Sequence, residues 1–150
     1  ESGKFSLKEL PFLAQKAPIN SIVIDDVNKD GKEDIVVAGN LFQSEIETGI
    51  AAGGTGQILL NKGDKTWDAL EVEDTGLFLN KDVKSMKLLN VGNADKPWIV
   101  VGNNNDFLQV VEISKLAFCE TSIRKKEQLG KLKVNVERFG SQSIAEPFVF

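Results

Sequence analysis

Asp26, Asn28, Asp30 and Asp34 occupy positions 1, 3, 5 and 9 of the stretch DVNKDGKED, with Gly31 at position 6. Oxygen-bearing side chains at that spacing, around a glycine that permits a sharp turn, are how a short loop wraps a hard cation such as Ca²⁺. Without a cation, the carboxylates of Asp26, Asp30 and Asp34 crowd and repel one another. Position 12, where an EF-hand requires a bidentate Glu, is the apolar Val37. The flanks SIVID and IVVAGN are short and β-branched, which is strand composition. The expected unit is therefore strand, calcium loop, strand. The ion's expected role is structural, because the loop offers chelating oxygens and no general base stands beside it.

Other chemistry is restricted by composition. The chain has no His, so Ser-His-Asp and Cys-His sites cannot be built from it alone. Cys119 is the single cysteine, which excludes an intrachain disulfide, and with no activating base it reads as a small hydrophobe. Glu45 and Glu47 are the conspicuous carboxylate pair away from the loop. They would matter if the chain belonged to a polysaccharide-processing enzyme, which needs two acids across a cleft. The leading expectation is not an enzyme. A net charge of −4 predicts no general attraction to nucleic acid or anionic membranes. Arg124, Lys125 and Lys126 read as a solvated turn rather than a nucleic-acid footprint. No run approaches the ~18 apolar residues of a membrane span. The first residue is Glu1, so the expectation is a processed chain or a piece of a longer one.

The loop must be held by its neighbours, and these recur. Residues 22–40 align without a gap on residues 86–104 at an offset of 64, Ile22 falling on Met86, Ile35-Val36-Val37 on Ile99-Val100-Val101 and Asn40 on Asn104. The apolar frame is kept while the ligands are lost: Asp26 becomes Asn90, Asn28 Gly92, Asp30 Ala94 and Asp34 Trp98. One calcium ion is expected, not two. Strands are predicted at about 21–25, 34–39, 57–61 and 66–72, then at 84–89, 97–102 and 107–113. The alternating segment 131–139 is placed to complete the second copy. Residues 1–20 read as the last strand of a preceding unit and a linker, 21–75 as the first unit, 76–118 as the degenerate second and 119–150 as a tail. The Gly-rich insertion 40–56 is a long loop between two strands, and a candidate binding loop with Glu45 and Glu47 as polar contacts. Four-stranded units at this spacing predict an all-β fold of antiparallel blades, a partial β-propeller of about two blades. Closure needs more blades, from a longer chain or another subunit.

DVNKDGKEDIVVAGN followed by ILLNKGDKTW resembles the FG-GAP/VCBS repeat of integrin-α-like β-propellers. The resemblance extends over about residues 4–113, which look like the C-terminal blades of secreted VCBS-repeat proteins of Bacteroidetes-type bacteria. It implies a calcium-stabilised propeller, secreted or at the outer-membrane surface, that takes part in adhesion, protein or glycan recognition, or assembly of surface complexes. It implies Asp26, Asn28, Asp30, Asp34 and the backbone carbonyl of Lys32 as calcium ligands.

Overall fold

The structure is a computed structural model that describes residues 3–90, 96–115 and 132–139. Cys119, the basic turn at 124–126 and most of the degenerate second loop lie outside the described residues. The fold is mostly β, in two antiparallel sheets. The first runs in chain order β1 (Ser21–Asp25), β2 (Asp34–Ala38), β3 (Gln57–Asn61), β4 (Trp67–Ala69). The second follows the same order with β5 (Val83–Leu89), β6 (Trp98–Asn103), β7 (Leu108–Lys115) and β8 (Leu132–Phe139). The alternating segment near 131–139 thus pairs with β7, in a register running from Leu108 opposite Phe139 to Lys115 opposite Leu132.

One core joins the sheets. Val23, Val36, Ile58 and Leu60 project from the first sheet and meet Met86, Ile99, Val101 and Val111 of the second. Leu77 and Leu79, on the connection between sheets, close the same cluster and are almost fully buried. At roughly 1.5–3 kcal/mol for each large side chain buried, this cluster dominates the favourable side of folding.

The way the repeat is packed decides the architecture. In a two-fold sandwich of equivalent sheets, equivalent residues would face each other. Here they do not. Val23 points into the core, whereas its counterpart Lys87 lies on the exposed outer face of β5. Met86 points into the core, whereas its counterpart Ile22 is 56 % exposed on the outer face of β1. The sheets therefore stack head to tail, with β1 against β5, and the outer face of the first sheet is equivalent to the face that the second sheet buries.

Three expectations need correction. Residues 3–11 form no strand; after them comes a 3₁₀ turn, Phe12–Gln15. The period-2 alternation of Phe5 and Leu7 signals a strand, but both side chains are fully exposed and the segment pairs with no strand among the described residues. Residues Leu10, Ala14 and Ile19 instead cover Val37 and Leu59 on the outer face of the first sheet. Strand β4 ends at Ala69 rather than 72, and Val72–Thr75 turns into α1, a single helical turn. Glu73 and Asp74 suit its N-terminal end, and Gly76 stops it at φ 69, its N–H bonding the Val72 carbonyl. The connection at 40–56 is not a plain loop: Leu41 and Ala51 exchange both backbone hydrogen bonds at 2.9 Å, making a small hairpin.

Candidate functional site

The loop between β1 and β2 is stitched by its own side chains. Asp26 Oδ1 and Asn28 Oδ1 both accept from the Asp30 amide at 3.0 Å, and Asp26 Oδ2 accepts from the Gly31 amide at 2.8 Å. Such Asx bonds fix a turn in place of backbone pairing. Lys29 at φ 59 and Gly31 at φ 87 supply the left-handed residues that reverse the chain. The Asp30 carboxylate accepts from the Lys32 amide at 2.9 Å and carries the Lys32 ammonium at 3.0 Å. That hydrogen-bonded cation holds the Asp30 carboxyl below the usual carboxylate range.

Asp34 is placed differently. It is 0 % exposed, and its two oxygens accept from the Val27 amide at 3.2 Å and the Asn61 amide at 2.9 Å. It thereby ties the start of the loop to the end of β3. Burial pushes its carboxyl above the usual range, against the pull of the Asn61, Asn28 and Val27 amides. Structure therefore gathers Asp26, Asn28 and Asp30 on one turn and sets Asp34 behind them as a brace. Among the described residues, no three His, Cys, Asp or Glu side chains gather as a ligand cluster. The donors on the turn are carboxylate and amide oxygens, the type a hard cation takes, and Lys32 now supplies one positive charge there.

At the opposite end of the sheets lies a polar junction that the sequence did not disclose. Asn40 is fully buried. Its amide group donates to the Gly54 and Lys81 carbonyls at 2.9 and 3.0 Å and accepts from the Gly54 amide at 2.9 Å. Asn20 donates to the Asn40 and Val83 carbonyls at 2.9 and 2.8 Å, and Ser21 Oγ accepts from the Met86 amide at 2.7 Å. These bonds latch β1 and the 40–56 insertion onto β5. Gly39 is required here, because a Cβ would stand 2.1 Å from the Pro18 carbonyl oxygen. Asp82, also buried, pairs with Lys84 at 2.7 Å, accepts from Asn104 at 3.1 Å and faces the Phe42 amide. Burial raises its carboxyl, but Lys84 and Asn104 outweigh that and leave it below the usual range. The one signal available was that Asn40 and Asn104 are equivalent in the repeat; their partners are set by the sheet packing.

Glu45 and Glu47 sit at the tip of the 41–51 hairpin, exposed, and not across a cleft. A cavity of about 20 Å³, beside Ala14, Val37 and Gly54, has room for one water. Comparison of the chain with known protein families, curated proteins and solved structures finds no match in any of the three.

Proposed function

We propose that the chain is a non-enzymatic, calcium-stabilised segment of a β-propeller of the FG-GAP/VCBS type. It would act outside the cell, secreted or at the outer-membrane surface, binding protein or glycan or helping to build a surface complex. The observation that carries the reading is the head-to-tail stacking of the two repeats. A pair of sheets related this way leaves an outer face that repeats the buried one, which is how propeller blades follow one another and how a closed sandwich does not. Leu10, Ala14 and Ile19 cover that face over Val37 and Leu59, but along β1 it stays open, with Ile22 and Ile24 both more than half exposed, an edge suited to a further sheet from a longer chain or another subunit.

Asp26, Asn28, Asp30 and the Lys32 carbonyl would hold the ion, with Asp34 bracing the loop and offering the lone pairs its amide partners leave. Bound Ca²⁺ would neutralise the turn and displace the Lys32 ammonium from Asp30. The test is isothermal titration calorimetry with CaCl₂. The reading expects one site, with a Kd of roughly 10⁻⁴–10⁻³ M, lost in Asp26→Ala. Absence of binding at millimolar calcium would remove the metal from the account.

A further inference from the structure

The 41–51 hairpin has no counterpart in the second repeat, where Asn104–Phe107 makes the same connection. The sheet does not need it. Its base is rigid: Asn40 and Gly54 bond each other twice, Asn40 reaches the Lys81 carbonyl, and the Phe42 amide faces the buried Asp82. Its tip is a β-turn in which the Thr48 amide donates to the Glu45 carbonyl at 3.0 Å, backed by the Thr48 hydroxyl at 2.9 Å. The first central residue of that turn is Ile46, which is fully exposed. Turns favour Pro and small polar residues, and a β-branched apolar residue gains nothing at that corner within its own chain. Ile50 is 67 % exposed on the returning arm, and Leu41 and Phe42 are exposed near the base. Glu45 and Glu47 flank the tip without an ion pair among the described residues, and no Lys or Arg lies between Asp34 and Asn61.

We infer that the hairpin Leu41–Ala51 is a recognition element, with Ile46 entering an apolar pocket on a protein partner whose rim carries Lys or Arg to meet Glu45 and Glu47. The tip is a small apolar knob between two anionic groups on a fixed stem. Its complement is an apolar hollow with a cationic border, which a protein surface supplies and a glycan does not. A preformed stem lowers the ordering cost of binding. The carboxylates give orientation and salt sensitivity more than affinity. The inference rests on the reading of the chain as an interaction module and is independent of the calcium loop at the other end of the sheets.

The experiment is selection from a phage-displayed library of a small folded domain, its concave face randomised, against the full chain, with the Ile46→Asp chain as the counter-target. The expected result is enrichment of binders whose randomised face joins apolar residues to Lys or Arg. Their purified forms should bind about tenfold or more weakly to Ile46→Asp. Binding to Glu45→Lys/Glu47→Lys should weaken and lose its salt dependence, while circular dichroism and melting temperature stay unchanged. No enrichment, enrichment of acidic or uncharged faces, or binding indifferent to Ile46→Asp would overturn the inference. So would Ile46-dependent self-association by light scattering, which would give the tip to a second copy. Calcium titration of the same preparation separates the two readings, since a failed selection beside retained calcium binding sinks the hairpin inference alone.

Discussion

Asp34 gives the sharpest test of how the loop is held, because its burial and its partners are both defined. Replacing it with Ala strands the Val27 amide, on a residue 2 % exposed, and removes the acceptor from the Asn61 amide. An unsatisfied buried amide costs about 1–3 kcal/mol, and a lost bond to a charged acceptor about 1.5–3 kcal/mol. Relief of the buried charge, visible in the raised carboxyl, offsets part of that. The net expectation is a loss of about 3 kcal/mol, or a fall in melting temperature of about 6–12 °C for a chain of this size. Urea unfolding followed by Trp67 and Trp98 fluorescence, in EGTA, isolates this bracing role from any metal. Asp74→Ala, on the exposed turn of α1, is the control and should stay within about 0.5 kcal/mol. A loss below about 1 kcal/mol for Asp34→Ala in EGTA would refute the brace, and with it the joining of the loop to β3.

Gly39→Ala should destabilise by about 2 kcal/mol or more, since backbone and not side chain stands in the way of its Cβ; a chemical denaturation midpoint equal to wild type would contradict this. Asn40→Ala leaves the Gly54 and Lys81 groups without their partner and should cost about 2–4 kcal/mol, with hydrogen exchange rising first at Gly54. Asp82 has a depressed carboxyl in the folded state, so its contribution is present above the ordinary value of 3.8 and is lost as pH falls through the folded one. Asp82→Asn should therefore lower stability at pH 7 and flatten the acid side of the stability profile, and an unchanged acid limb would count against the Lys84 pairing.

Much of the fold could be read from residue order. β-Branched runs bounded by Asp, Asn and Gly place β1, β2 and β3 to the residue or nearly so, and the offset of 64 predicts β5 and β6 from β1 and β2. The misses have local causes. Phe5 and Leu7 alternate as a strand would, but alternation describes a face and not the partner edge that makes a strand. Val72 continues the apolar pattern of β4, yet Glu73, Asp74 and Gly76 carry the opposing helix signals, and those won. At the candidate site, spacing foresaw that Asp26, Asn28 and Asp30 share one turn. It could not foresee that Asp34 is buried, because the Asn61 amide comes from a strand paired across β2. The latch through Asn20 and Asn40 was invisible for the same reason: the Val83 and Lys81 carbonyls that they reach are backbone groups brought close only by the stacking of two sheets.

The most direct test of the central claim is thermal unfolding of the chain in about 2 mM CaCl₂ and in EGTA, beside Asp30→Ala. With a Kd of about 0.1 mM, that calcium concentration stabilises by about 1.8 kcal/mol, a rise of about 4–7 °C. The account predicts that rise in the wild-type chain and its loss in Asp30→Ala. A cooperative melt at one temperature in both buffers would contradict it, and leave the loop an Asx-stitched turn whose cation is Lys32.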